Sequence, residues 1–97
     1  MLTGKQKRYL RSLGNEMDPV LMVGKEEVTE NVLRQANDAL EARELIKGRV
    51  LQNCADVPGN IALQIAKAAQ AELVQVIGRN FLLYRMAKDK PRIELPK

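Results

Sequence analysis

The stretch Pro19-Val20-Leu21-Met22-Val23-Gly24-Lys25-Glu26-Glu27-Val28-Thr29 constrains the fold more than any other part of the chain. Four apolar residues run into Gly-Lys, two acids follow, and Thr29 then opens an amphipathic segment. That order reads as a strand, a tight turn and a helix start. Such a junction aims backbone N–H groups and the positive end of a helix dipole at one place, where an anion can sit. The same sequence also fits an ordinary strand-to-helix turn, and Gly24 and Lys25 alone do not separate the two. The pattern Gly-x-x-x-x-Gly-Lys-Ser/Thr of a nucleotide phosphate loop is absent, which argues against nucleoside triphosphate hydrolysis.

Around this junction the chain alternates in type. Thr3-Gly4-Lys5-Gln6 has the form of a capping box, predicting a helix to about Leu13 that stops at Gly14-Asn15. Tyr9 and Leu13, four apart, with Gln6 and Leu10 nearby, define its expected packing stripe, with Lys7, Arg8 and Arg11 pointing outward. A strand is expected at Val20–Val23. Thr29 caps a second helix over about Glu30 to Ala42, with Val32, Leu33, Ala36, Ala39 and Leu40 as its apolar stripe. Leu45–Leu51 alternates as a strand, with Ile46, Gly48 and Val50 on one face and Lys47 and Arg49 on the other. Pro58 begins a third helix to about Gln70. Glu72–Ile77 forms a third strand, and Gly78-Arg79-Asn80 turns it directly into a fourth, Phe81–Arg85.

The element order is therefore α-β-α-β-α-β-β. Two strand-helix-strand crossovers of the same hand place both later helices on one sheet face. The expectation is an α/β (α+β) two-layer fold with a four-stranded mixed sheet, its last strand antiparallel. The opposite face, with Lys47, Arg49 and Gln75, reads as too polar to lie under a large second layer. The place of the first helix is left open by this reasoning. Residues 1–97 form a single domain, long enough to bury a core without staples, with a short basic tail from about residue 86.

Composition narrows the chemistry. Histidine and tryptophan are absent, Cys54 is the single cysteine, and the only serine is Ser12. Zinc sites with histidine ligands, Ser-His or Cys-His nucleophilic pairs and histidine general bases are all excluded. No catalytic residue, metal ligand set or cofactor loop is identified, and the protein is read as a non-enzyme. One cysteine suits a reducing compartment, and no apolar run reaches the length of a membrane span. Together these predict a cytoplasmic protein without a membrane partner, taken as a monomer.

The net charge of +4 is unevenly spread. Residues 1–14 carry Lys5, Lys7, Arg8 and Arg11 with no acid, and residues 78–97 carry six basic residues against Asp89 and Glu94. The intervening 63 residues hold ten acids and six bases. Basic ends that meet in space form a patch suited to phosphates. With Tyr9, Phe81 and Tyr84 as the only aromatics, a broad stacking platform is unavailable, so contact with nucleic acid leans on backbone and shape. The hairpin Ile77-Gly78-Arg79-Asn80 through Tyr84-Arg85 could hold a phosphate and stack a base, or Phe81 and Tyr84 could be core with Arg85 packed over them.

Several separated motifs then converge. Leu2-Thr3-Gly4-Lys5-Gln6-Lys7, Val23-Gly24-Lys25 with Val28-Thr29, Glu41-Ala42-Arg43-Glu44-Leu45-Ile46-Lys47, Gln75-Val76-Ile77-Gly78, Leu83-Tyr84-Arg85 and Ile93-Glu94-Leu95-Pro96 stand in the order of the CRM domain (chloroplast RNA splicing and ribosome maturation). The chain resembles the bacterial single-domain, YhbY-like members over nearly its whole length. The resemblance implies an RNA-binding module similar in fold to the C-terminal domain of translation initiation factor three. It further implies association with RNA of the precursor large ribosomal subunit and a role in its assembly. One departure stands out: the family's first loop is usually Gly-x-x-Gly, and here Glu27 occupies the second glycine position. A carboxylate there would repel RNA phosphate, so only Gly24 and Lys25 carry over.

The expected RNA contacts are Lys25, Lys47, Arg49, Arg79 and Arg85 on phosphates, with Lys5, Arg8 and Arg11 assisting. Gly24 and Gly78 would allow close backbone approach, and Asn80 and Tyr84 lie beside them. The alternative is a protein-interaction adaptor that docks on a ribosomal protein or assembly factor through the acidic helix carrying Glu30, Asp38 and Glu41.

Overall fold

The computed structural model describes residues 2–89 and 91–97. Lys90, counted above with the basic C-terminal end, lies outside the described residues. The elements are α1 (Gly4–Gly14), β1 (Leu21–Val23), α2 (Glu30–Arg43), β2 (Leu45–Val50), α3 (Pro58–Ala69), β3 (Glu72–Ile77) and β4 (Asn80–Tyr84). The local signals behave as their chemistry dictates. Thr3 and Gln6 close a reciprocal capping box on α1, and Thr29 accepts the Val32 N–H at 3.1 Å to start α2. The Gly78-Arg79 hairpin has glycine first, at φ +57°, as a two-residue turn requires.

The sheet order is β1-β2-β4-β3. β1 pairs with β2 in parallel, while β4 inserts between β2 and β3 and is antiparallel to both. Both crossovers advance across the sheet in one direction, so α2 and α3 share a face. Their stripes (Val32, Ala36 and Leu40; Ile61, Ala62, Ile65, Ala66 and Ala69) meet Leu21, Val23, Ile46, Val50, Phe81 and Leu83 in one closed core. Gly48 belongs to it by necessity: a Cβ there would stand 2.2 Å from the Phe81 ring. The aromatic ring occupies the space that a side chain on β2 would fill.

The other face differs from expectation. α1 packs on β2 and β3 of this face, with Leu10, Leu45, Val74, Leu82 and Tyr84 forming a second core that Ile93 and Leu95 of the C-terminal segment help to cover. The inward stripe of α1 is Leu10 and Gly14, not Tyr9 and Leu13, which are exposed; Lys7 and Arg11 flank it and are half-buried. Gly14 decides this choice, because Leu82 comes close enough to fill its Cβ position at 2.5 Å. Counting large apolar residues missed the contact made by an absent side chain. Only the half of this face beyond the C-terminal end of α1 stays open. No helix among the described residues is long and apolar enough to cross a membrane.

The described residues beyond β4 form no regular element, yet they are held. Glu44, completely buried, follows α2 directly at φ +66°. Its Oε2 accepts the Ala87 N–H at 2.7 Å, and its Oε1 accepts the N–H groups of Arg92 and Ile93, the latter at 2.7 Å. Burial by itself raises the pKa of this carboxyl. The backbone donors of Ala87, Ile93 and Arg92, with the Arg92 charge, outweigh that and hold it below its ordinary value. Farther along, Gln6 Nε2 donates to the Pro96 carbonyl at 3.0 Å, tying the C-terminal segment to the cap of α1.

Candidate nucleic-acid interface

The expected contact residues divide into three groups. The first lies at one end of the sheet, where three connections meet. Gly24 opens a turn closed by the Glu27 N–H on the Gly24 carbonyl at 2.9 Å. This turn lies against Leu51 and Asn53, whose side chains come within ordinary contact of the Gly24 Cβ position. Across β2, the Arg79 guanidinium donates to the Val50 and Leu51 carbonyls, each at 2.7 Å, while the Arg79 carbonyl accepts the Val50 N–H. Arg79 is thus a clamp between hairpin and strand, using Nε and Nη2. Its Nη1 has no bond among the described residues. Lys25 is exposed beside this junction.

Glu27 has φ +60°, a left-handed conformation that glycine adopts freely and an L side chain does not. The position is built for the second glycine of the Gly-x-x-Gly loop, and glutamate holds it at some conformational cost.

The second group is the open half of the far face. Lys47 and Arg49 point there from β2, and Gln75, Ile77 and Asn80 from the β3–β4 hairpin. A hollow of about 190 Å³ lies between these residues and Gly14-Asn15 at the end of α1. A shallower one beside it is bounded by Arg49, Gln52, Arg79 and Asn80. The two hollows share Asn80, and no carboxylate lines either one. Three cations around a surface with no acid form a local field that favours phosphate over any cationic ligand. The third group, Lys5, Arg8 and Arg11, lies on α1, with Lys5 and Arg8 exposed and Arg11 half-buried.

Two expected contacts have other tasks. Tyr84 is 4 % exposed in the second core, so its ring offers no face to a base. Its hydroxyl is buried with no hydrogen-bond partner among the described residues, and burial together with the nearby Glu44 charge raises its pKa. Arg85 lies past the end of β4 and joins the two helices of the first core. Its Nη1 donates to Asn37 Oδ1 at 2.7 Å and to the Ala69 carbonyl at 2.8 Å, and its Nη2 to the Asn37 carbonyl at 3.2 Å. Glu41 stands 3.9 Å away. With its fork occupied, Arg85 is a structural cross-brace and is not directed at a phosphate. Both residues follow an exposed basic hairpin in sequence, but β4 is the central strand and carries its side chains into the two cores.

Sequence reasoning placed Gln75 on this face and Ile77 at the head of the basic hairpin, but assigned no contact to either, and took Asn15 only as the stop of α1. The register of β3 on β4 shifts between Leu73 and Gln75, so that Val74 and Gln75 both reach the far face. Strict alternation with Gln75 on this face would turn Val74 away from it, and the bulge is what brings both there. Among the described residues no cluster of histidine, cysteine or acidic side chains could hold a metal ion.

Comparison with known proteins agrees with this architecture. The CRS1 / YhbY (CRM) domain matches residues 2–85. "Probable RNA-binding protein YqeI" of Bacillus subtilis is 48 % identical over 96 residues, covering 99 % of this chain and 100 % of that protein. A Haemophilus influenzae protein named "RNA-binding protein" is 35 % identical, covering 99 % of this chain and 96 % of its own length. The solution structure of a Staphylococcus aureus protein, described as a candidate RNA binder, superimposes with a TM-score of 0.83 at 51 % identity, covering 99 % of this chain and 100 % of that one. The chain belongs to the CRS1/YhbY (CRM) domain family.

Proposed function

We propose that this protein is a non-catalytic, cytoplasmic RNA-binding protein that contacts RNA of the precursor large ribosomal subunit and assists its assembly. The observation that carries the RNA reading is the acid-free half-face holding Lys47, Arg49 and Arg79 next to the Lys25 loop. Charge of this kind grips the phosphate backbone and sets register without reading sequence. Lys5, Arg8 and Arg11 extend the positive surface along α1. The ribosomal part rests on the resemblance to bacterial YhbY-like proteins.

Phosphate contact has a measurable signature. If about four cations meet phosphates, log affinity for single-stranded RNA falls against log salt with a slope near −3, taking roughly −0.7 per phosphate. A slope near zero would remove the electrostatic account. Cosedimentation with large-subunit precursors, lost on ribonuclease treatment, is the expected cellular result. Retention on ribosomal protein after that treatment would favour an adaptor instead.

A further inference from the structure

We infer that the hollow between the end of α1 and the β3–β4 hairpin receives one unpaired nucleobase of the bound RNA. This rests on the RNA-binding reading and adds a base-sized site to a surface otherwise suited to backbone.

The argument starts from what the hollow presents. Three carboxamides, Asn15, Gln75 and Asn80, border it, and none makes a side-chain hydrogen bond among the described residues. The Asn80 Oδ1 is buried without a partner. A carboxamide offers two N–H donors and a carbonyl acceptor, the complement of the donor and acceptor pattern along a base edge. Only the Asn80 oxygen is shut off from water, where lacking a partner is costly; Asn15 is exposed and Gln75 half-buried, and their amides are free to exchange water for a base edge. Three of them around one hollow are therefore an uncommitted reading head.

Its floor suits the flat part of a base. Leu82 is buried there, and Ile77 is 61 % exposed, an apolar side chain standing free on a polar surface. A base laid over Ile77 would cover that surface and bring its edge to the amides. The volume, about 190 Å³, is below the roughly 300–1,000 Å³ of pockets that take drug-sized ligands, and fits a single planar heterocycle. Lys47 borders the hollow, while Arg49 and Arg79 border its neighbour across Asn80. A base on one side of Asn80 thus places its phosphate toward the two arginines on the other. Single-stranded RNA is recognised in this manner, by splayed bases read on their edges.

The test compares two ligands on isotope-labelled protein: a short mixed-sequence single-stranded RNA, and a chain of equal length with every base removed. The side-chain amide resonances of Asn15, Gln75 and Asn80 are expected to shift with the intact RNA only, while the Arg49 and Arg79 side-chain resonances shift with both. Ile77→Ala, at an exposed position that leaves the fold intact, and the double variant Gln75→Ala/Asn80→Ala should each bind intact RNA about tenfold more weakly. Neither should change affinity for the baseless chain. Equal amide shifts with both ligands, or none with either while the arginine resonances move, would overturn the base pocket and leave backbone binding standing. If neither ligand moves any resonance, the RNA-binding reading itself falls.

Discussion

The two faces of the sheet are built from the same strands and solve opposite problems. The face under α2 and α3 holds one continuous core, and its fit is tight enough that Gly48 exists to admit the Phe81 ring. The other face is divided. One half is sealed by α1 and the C-terminal segment over Leu45, Val74, Leu82 and Tyr84; the other carries Lys47, Arg49, Gln75 and Asn80 into solvent. Stability and the proposed RNA contact thereby fall in different places. The closed face commits its side chains to one another, and the open half can keep uncompensated polar groups because the closed face supplies the fold.

That division is exposed to attack at both faces. The largest effect is expected from Gly48→Val, which drives a branched side chain into the Phe81 ring and should cost about 3 kcal/mol or abolish folding, read by urea denaturation. Next comes Glu44→Gln, which sets an amide against backbone donors and should cost about 2 kcal/mol. Its pH behaviour is distinctive. A carboxyl held lower in the folded state than the ordinary value of 4.5 stabilises above that value and loses its contribution as pH falls through the folded pKa. Wild-type stability should therefore decline on acidification below about pH 4.5, with the Glu44→Gln variant flatter across that window.

Arg85→Ala should lower stability by about 1.5 kcal/mol by uncoupling Asn37 from the Ala69 carbonyl. Its salt slope of RNA binding should not change; a shallower slope would return Arg85 to the interface. Lys25→Gln with Arg49→Gln should do the reverse, weakening RNA binding about tenfold and flattening the slope to about −1.4, with unfolding unchanged. The smallest effect is expected from Glu27→Gly, which removes a carboxylate and relieves a φ of +60°, tightening RNA binding about threefold. No change there would place the Gly24 turn away from the RNA.

Much of the closed face was legible because it depends on periodicity and punctuation: the stripes of α2 and α3, the two threonine caps and the Gly78 turn are local signals. The divided face was not, because it depends on pairings distant in sequence. Nothing near Glu44 announces that its carboxylate will collect backbone donors from Ala87, Arg92 and Ile93. Nor does the neighbourhood of Arg85 show that Asn37 and Ala69 will occupy it. Lys47 and Arg49 were readable because alternation on β2 is regular; Gln75 was placed on the same face, but the bulge that puts Val74 there beside it was not foreseen.

The contact between Gln6 and Pro96 joins residues 90 apart in the chain. Closing so long a loop has a high entropic threshold, which neighbouring contacts must first overcome. The strands and helices of the closed face can assemble through shorter loops, leaving α1 and the C-terminal segment to dock last. The same order run backwards makes that pair a unit that opens before the rest, so amide hydrogens of α1 should exchange through partial opening while those of β2 and β4 await global unfolding.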